Sequence, residues 1–383
     1  MLKAVHAEIA TIAIPFRFGF RHALAERDVG DGVLLTIRDA EGRRGHGECT
    51  PRDYVSGETS RSVVDVLARR VPEWLERGFH SFDELVAALE RASSGLPRET
   101  HAAWCALELA WLDLGGRVFD RSAGEPLGPV CARSVEYSGV VSASGKAEAA
   151  KTCAAMRELG VTRVKVKVGA ERTADLEVLS AVREALGDAA GVRVDANAAW
   201  DAETALARLD DFAEFRLEGC EQPCAADDFE GMAWLTARSP VPVIADESLV
   251  TLDDARRLAE LRGCHVFNVR ISKCAGLIGA GRVRDLGRDA GIDSMIGAHV
   301  GETAILAAAG RHFAARTPGL CFAEGSYGKL LLRADVSDAM DLARGGTGAA
   351  IEGNGLGLDV DLERIAPFVT ARTELGARAG GAR

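Results

Sequence analysis

The sequence predicts an α/β fold built on a parallel (β/α)8 barrel, which follows a segment of strands and then helices. From about residue 133, short runs rich in valine and isoleucine alternate with helical stretches of roughly 12 to 18 residues. Three of these runs end on an acidic residue, about one βα unit apart. The 383 residues also exceed one ordinary core, as expected for a barrel with an added domain.

The first 122 residues predict a smaller α+β unit. Runs at 7–15, 32–38 and 45–49 have strand character, and the turn at 39–42 has hairpin chemistry. Helices follow over 58–122, where Thr59 is a candidate cap. A second helix is predicted from His101 to Leu114, ended by Gly115 and Gly116.

Eight strands alternate with helical connections in the next part of the chain. This pattern favours a closed barrel over the alternative, an open doubly wound sheet. Beyond the barrel, residues 353–361 have the composition of a loop or extended chain that could return to the first unit. The predicted strands are 135–141, 163–168, 192–195, 216–221, 243–246, 266–271, 293–296 and 320–323.

The composition and charge of the chain limit the kinds of molecule that we expect it to bind. Net charge is −11 and the sequence pI is near 5.4, which argues against nucleic acid as the main partner. No apolar run is long enough to span a membrane, and the N-terminus lacks the core of a signal peptide, so we expect a cytoplasmic protein. The nine cysteines include no CxxC pair; zinc at Cys220 and Cys224 is the weaker alternative to reduced thiols.

Three carboxylates predict a divalent metal site. Asp195, Glu221 and Asp246 each close an apolar run, so a barrel would bring them to one rim. Buried carboxylates that meet would repel one another unless a hard cation lay between them. The sequence therefore predicts that these three residues bind Mg²⁺, with Mn²⁺ as a possible substitute.

Lysines flank this predicted site. Lys165 and Lys167 share one face of a strand, because residues two apart point the same way. Lys273 ends the sixth predicted strand and would face the second strand across the barrel mouth. Two such amines could remove a proton from one side of a substrate carbon and return it to the other. The alternative is solvated lysines on a surface strand.

Two neighbours of the carboxylates are candidate supporting residues. Asn197 shares a face with Asp195 and could hydrogen-bond a lysine or the substrate. Glu247 follows Asp246 and is a candidate charge partner that would orient Lys273.

These motifs resemble those of the enolase superfamily, in its muconate-lactonising enzyme/mandelate racemase branch. The resemblance covers nearly the whole chain. It rests on the motifs around the lysines and carboxylates, namely 165–167, 195–197, 221–223, 246–248 and 273–277.

The resemblance implies a modified (β/α)8 TIM-type barrel with an N-terminal α+β capping domain. The expected division is residues 1–130 for the capping domain, 131–340 for the barrel, and 341–383 for a segment that returns to the capping domain. It also implies Mg²⁺ held by the three carboxylates, Lys167 and Lys273 as bases on opposite faces, and Lys165 near the substrate carboxylate.

Other candidate contacts depart from the family pattern or vary within it. His299 after the seventh strand is interpreted as a substrate contact, or as an ordinary rim histidine. Glu324 after the eighth strand either bonds the enolate side or closes the barrel. Two loops of the first unit, 16–22 and 49–58, are candidates for specificity, and their candidate contacts are Arg17, Arg21, Arg52 and Tyr54.

The expected function is a metal-dependent isomerase of a small carboxylate with an α-hydrogen, in a homo-oligomer. A racemase or epimerase of an N-acyl amino acid or dipeptide would use both lysines, and a cycloisomerase of muconate type would use one. A dehydratase of the same superfamily, a Schiff-base aldolase and a non-catalytic ligand-binding barrel are the alternatives.

Overall fold

The computed structural model describes residues 1–22, 25–343 and 345–376, and its side chains are considered outside residues 18–26. The strands are β1 Ala4–His22, β2 Ala25–Asp39, β3 Arg44–Cys49, β4 Ser134–Glu136, β5 Gly139–Val141, β6 Arg163–Lys167, β7 Gly191–Asp195, β8 Cys220–Glu221, β9 Val243–Ala245, β10 Val266–Val269, β11 Asp293–Ile296, β12 Thr347–Ala349 and β13 Val369–Gly376. The helices are α1 Asp53–Ser56, α2 Ser60–Leu75, α3 Phe82–Ala92, α4 His101–Phe119, α5 Lys146–Glu158, α6 Arg172–Leu186, α7 Ala202–Asp211, α8 Phe229–Thr236, α9 Leu252–Leu261, α10 Gly276–Asp289, α11 Ala304–Ala315 and α12 Gly328–Leu331.

An antiparallel sheet in the order β13-β1-β2-β3 forms the first layer. Helix α4 packs on β3, and glycines permit the close approach: a Cβ at Gly47 would lie 1.9 Å from the carbonyl oxygen of Ala106. The predicted cap Thr59 accepts a hydrogen bond from Ser62 N at the start of α2, as expected.

The prediction that helix α4 ends at Gly115 and Gly116 is wrong. The helix continues through Gly115 and Gly116 to Phe119, because both glycines face close neighbours. A Cβ at Gly115 would lie 2.4 Å from Leu85 Cδ2, and one at Gly116 would lie 2.5 Å from Gly355 N. The glycines therefore serve packing, not termination.

A curled parallel sheet forms the barrel, in the order β11-β10-β9-β8-β7-β6-β5. The predicted eighth strand is reduced to one parallel bridge between Ala323 and Ile296. Backbone hydrogen bonds still close the ring there: Glu324 N donates to Ile296 O at 2.8 Å, and Ser138 N donates to Ala323 O at 2.8 Å. The TIM-type barrel is therefore confirmed, and the open-sheet alternative is wrong.

Several predicted strands are shorter or divided. The run at 135–141 splits into β4, which pairs antiparallel with β12, and β5, which belongs to the barrel. The run at 266–271 ends at Val269, where a turn carries the chain to α10.

The last described strand returns to the first layer. β13 pairs antiparallel with β1, with His6 opposite Gly376. The predicted domain limits at residues 130 and 340 stay predictions, and residues 23–24, 344 and 377–383 lie outside the described part of the chain.

None of the helices in the described residues combines the length and the apolar character that crossing a bilayer requires.

Candidate active site

The three predicted carboxylates lie side by side at the carboxyl ends of adjacent barrel strands. Asp195 and Glu221 are opposite each other in the β7–β8 register, and Asp246 directly follows β9. All three side chains are buried, with at most 1% exposed. The sequence prediction that they share one rim is confirmed.

Strand β6 supplies two of the predicted lysines from one face. Lys165 Nζ lies 3.1 Å from Asp195 Oδ2, 3.0 Å from Glu221 Oε1 and 2.8 Å from Glu324 Oε1. Lys167 Nζ donates to Asp195 Oδ2 at 2.5 Å and to Asn197 Oδ1 at 2.8 Å. Val164 and Val166 are buried on the other face, and the lysine side chains are only 3% and 12% exposed, so neither is a solvated surface residue.

Lys273 approaches the carboxylates from the other side. It lies in the turn after β10, and its Nζ donates to Asp246 Oδ1 at 2.7 Å, Asp246 O at 2.7 Å and Asn268 O at 3.1 Å. In the sheet order, β7, β8 and β9 separate β10 from the strand that carries Lys167. The two amines therefore flank the carboxylate row.

Charged neighbours and burial shift the pKa values of the carboxyl groups in this row in opposite directions. Burial opposes the charge of Asp195, but Lys167 and Lys165 outweigh it and hold the pKa of Asp195 below its usual range. Burial and the neighbouring charge of Asp195 raise the pKa of Glu221 to about 8. For Lys165, burial favours the neutral amine, but Glu221, Glu324 and Asp195 reverse this and raise its pKa. The lysines therefore keep Asp195 ionised, whereas Glu221 retains a proton more readily.

Sequence reasoning missed three residues of the site, two of them fully buried and the third, Arg270, 11% exposed. Arg193 contacts Glu324, Asn268 Nδ2 donates to Glu221 Oε1 at 3.0 Å, and Arg270 contacts Asp246. Strand alternation could have found the first two: Arg193 shares a face of β7 with Asp195, and Asn268 sits in the otherwise apolar run of β10.

The predicted supporting residues have mixed outcomes. Glu247 Oε1 accepts a hydrogen bond from Asn197 Nδ2 at 3.0 Å, whereas the lysine that it was expected to orient bonds Asp246 instead. Burial, Asp246 and Asp195 raise the pKa of Glu247 to about 7. Glu324 accepts from Lys165, at 2.9 Å between Nζ and Oε2, and lies at the bridge that closes the barrel.

Residues of the two candidate specificity loops, 16–22 and 49–58, differ in their contacts, and these loops are called the first and second capping loops. Arg17 Nε donates to the carbonyl of Leu332 at 2.9 Å, and Arg52 Nη2 donates to that of Val300 at 2.9 Å, so both arginines tie a loop to the barrel backbone. The ring of Tyr54 lies beneath the guanidinium of Arg27, with its centroid 5.9 Å from Cζ. The side chain of Arg21 lies outside the described residues.

His299 is buried at the mouth of the barrel, with 5% exposed. Its Nδ1 lies 3.0 Å from Thr50 Oγ1 of the second capping loop, and its backbone N donates to Glu302 Oε1 at 2.7 Å. His299 therefore joins the loop 49–58 to the barrel rim through an ordinary hydrogen bond, and its predicted contact with substrate stays a prediction.

The donor set fits a hard divalent cation. In the described residues, no three Asp, Glu, His or Cys side chains stand as a preformed metal cluster, because the carboxylates are engaged with lysines and arginines. Yet Glu221 Oε2 is buried and has no hydrogen-bond partner within the described part of the chain, which leaves this oxygen available to a cation. Oxygen donors suit Mg²⁺, whereas Cys220 points to the opposite side of β8 from Glu221, so the zinc alternative is not supported.

Comparisons with known proteins agree with this geometry. The family model described as "Enolase C-terminal domain-like" matches residues 148–365. The chain is 31% identical over 305 residues to an aromatic dipeptide epimerase of Herpetosiphon aurantiacus, which covers 78% of this chain and 82% of that protein. It is 29% identical over 376 residues to muconate cycloisomerase 1 of Rhodococcus opacus, which covers 95% and 98%.

A solved structure resembles the whole arrangement. The dipeptide epimerase from Enterococcus faecalis, complexed with Mg and the dipeptide L-Leu-L-Tyr, superposes with a TM-score of 0.83 at 25% identity, over 93% of this chain and 99% of that one. The chain therefore belongs to the enolase C-terminal domain-like family, in the muconate-lactonising enzyme/mandelate racemase branch of the enolase superfamily, and is an isomerase.

Proposed function

We propose that this isomerase is a racemase or epimerase that moves the proton α to the carboxylate of a small substrate, with Mg²⁺, or Mn²⁺ in its place, as cofactor. The observation that carries the proposal is the position of the Lys167 and Lys273 amines on either side of one carboxylate row. An α-proton transfer that inverts a centre needs one base on each face.

Asp195, Glu221 and Asp246 would hold the cation, and the buried Glu221 Oε2 has no hydrogen-bond partner among the described residues. When bound, the cation would stabilise the negative charge that develops on the substrate carboxylate as its α-proton leaves. Its positive charge would also let all three carboxylates stay ionised. The raised pKa of Glu221, which burial and Asp195 cause, supports a cation at this position.

The chain's own residues would share the remaining work. Lys167 Nζ would take the α-proton on the β6 side, and Lys273 Nζ would deliver one on the β10 side. Lys165 would hold the substrate carboxylate close to Lys167. Asn197, which bonds both Lys167 and Glu247, would fix the direction of the Lys167 amine. Glu324, His299, Tyr54 and Arg17 are proposed supports or substrate contacts.

A cycloisomerase is the second candidate, because muconate cycloisomerase 1 matches 95% of the chain. It would need only one of the two lysines. A dehydratase is not favoured, since the relatives named are epimerases and a cycloisomerase. The substrates that support the first candidate are dipeptides and N-acyl amino acids; those for the second are muconate and its lactone.

The decisive experiment is proton exchange in D₂O. The enzyme is incubated with Mg²⁺ and a panel of N-acyl amino acids, dipeptides and muconolactone, and the label is read by ¹H NMR and mass spectrometry. A racemase or epimerase places deuterium at the α-carbon of both stereoisomers. Exchange that persists unchanged after EDTA treatment would contradict the metal proposal, and lactone opening without inversion would favour the cycloisomerase.

We also propose that the protein acts in the cytoplasm as a homo-oligomer, without nucleic acid or membrane partners. The net charge of −11 supports the exclusion of nucleic acid. Residues 1–130 with 341–383 would form the capping domain, and 131–340 the barrel; the β13–β1 pairing supports the return of the chain.

A further inference from the structure

The imidazole of His299 is held from one side only. Nδ1 lies 3.0 Å from Thr50 Oγ1, while Nε2 is buried and has no hydrogen-bond partner in the described part of the chain. Thr50 is itself fixed, because its backbone N donates to Ser272 Oγ at 3.1 Å. Ser272 immediately precedes Lys273, so the pair lies beside the proposed base.

The ring carries one proton. Burial, Arg270, Arg52, Lys273 and Arg27 all lower the pKa of His299 well below its ordinary value, so the neutral form prevails at pH 7. A neutral imidazole has one N–H, and the hydrogen bond at the other nitrogen decides where it lies.

Counting hydrogen bonds selects the tautomer. If Thr50 donates to Nδ1, the hydroxyl proton is satisfied and the ring proton resides on Nε2. If Nδ1 donates instead, the hydroxyl proton is left without a partner among the described residues. Among the described residues, the second arrangement leaves two buried groups unmatched, the hydroxyl proton and the Nε2 lone pair, whereas the first leaves only the Nε2–H, so the first is favoured. His299 then presents an N–H donor at the orphaned Nε2 position.

A second unmatched donor lies close by. Arg270 Nε is also buried with no hydrogen-bond partner in the described residues, and Arg270 exerts the largest charge effect on His299. Arg52 and Lys273 add positive charge around the ring. The positive charges of Arg270, Arg52 and Lys273 would repel an ammonium group of the substrate and attract an acceptor oxygen.

We propose that His299 is a specificity-determining donor: Thr50 of the capping loop holds its proton on Nε2, which binds a carbonyl oxygen on the α-substituent of the substrate. The matching substrate is a carboxylate with an amide carbonyl near its α-carbon and no ammonium at that position. This inference rests on the proposed function for the use of the site, but the tautomer itself is independent of turnover.

Imidazole ¹⁵N NMR tests the tautomer in the enzyme without substrate. The His299 signals are assigned by their loss in His299→Gln. We expect the Nε2–H form in the wild type and in Thr50→Ser, and a mixture of tautomers in Thr50→Val. The chain offers a matched control in Thr36, whose Oγ1 lies 3.1 Å from His46 Nδ1 in the capping sheet. A wild-type Nδ1–H form of His299 overturns the proposal.

Ligand binding tests the substrate class. N-acetyl-L-leucine is compared with N-thioacetyl-L-leucine, whose sulfur is a weaker acceptor, and with 4-methylpentanoate, which lacks the acyl group. We expect the Nε2 resonance to shift with the first far more than with the other two. An equal shift with 4-methylpentanoate, or no shift with any of the three at the highest soluble concentration, overturns the carbonyl contact.

Kinetics separate this role from a structural one. On the substrate found by deuterium exchange, Thr50→Val should raise KM by roughly three- to tenfold with a smaller effect on kcat, as for loss of one hydrogen bond. In a His299→Gln background, Thr50→Val should add nothing, because glutamine has no tautomer to set. Thr36→Val should leave KM unchanged. An equal effect of Thr50→Val in both backgrounds contradicts the coupling.

Discussion

Removal of either the Lys167 or the Lys273 amine should stop proton transfer on one face of the substrate and leave it on the other. We consider Lys273→Met and Lys167→Met, which keep most of the side-chain volume and remove the proposed base. A positioned acid–base group contributes roughly 10² to 10⁴-fold, or about 2.7 to 5.4 kcal/mol of activation free energy. Racemisation should therefore fall by that factor in either variant.

Each variant should still exchange the α-proton of one stereoisomer. With Lys273→Met, the isomer whose proton faces Lys167 should keep its deuterium wash-in, and with Lys167→Met the other isomer should. The fold should survive in Lys273→Met, because Arg270 still contacts the Asp246 carboxylate that loses Lys273. Thermal unfolding checks this point.

The assay is ¹H NMR in D₂O on each pure stereoisomer, with Lys146→Met as a control. Lys146 pairs with Glu184 on the surface, and its loss should change neither isomer's rate. If both variants lose exchange of both isomers equally, the two-base reasoning is refuted. Full racemisation in either variant would refute it as well.

Three further outcomes concern the packing within the first layer and its contact with the barrel. Gly47→Ala places a Cβ 1.9 Å from a backbone oxygen of α4 and should lower the unfolding free energy by about 3 kcal/mol, whereas Gly145→Ala, with open space around it, should be neutral in urea denaturation. Glu48 accepts hydrogen bonds from Thr303 N at 2.8 Å and Leu306 N at 3.0 Å, so Glu48→Ala should cost about 2 to 4 kcal/mol by calorimetry; a loss no larger than that of the surface variant Glu230→Ala would contradict this role. Burial raises the pKa of Glu48 to about 7, so the folded state keeps a proton that the unfolded chain releases near pH 4.3; stability should fall as pH rises from about 4.5 to 7, and Glu48→Gln should flatten this slope in denaturation curves.

The fold and the central residues were predictable because they follow local rules. Strand period placed Lys165 and Lys167 on one face, and the βα spacing placed Asp195, Glu221 and Asp246 on one rim. The proximity of the three carboxylates and these two lysines follows from those periodicities, so the sequence alone placed the five side chains together.

Long-range contacts were beyond such rules. Thr50 and His299 are far apart in the chain, and the sequence around either residue contains no pattern that predicts their hydrogen bond. Glu247 was expected to pair with Lys273, but rim geometry turned it toward Asn197. The Gly115–Gly116 pair carried a stop signal, which tertiary packing overrode.

The edge pairing of β13 with β1 has a consequence for biosynthesis. The sheet that begins at Ala4 reaches its full width only once Val369–Gly376 has left the ribosome. The barrel strands are made before then, so the first sheet should gain its edge strand after the barrel segment has been synthesised. A nascent chain that stopped short of Val369 would keep the lysines and carboxylates of the site yet lack the edge strand of the first sheet.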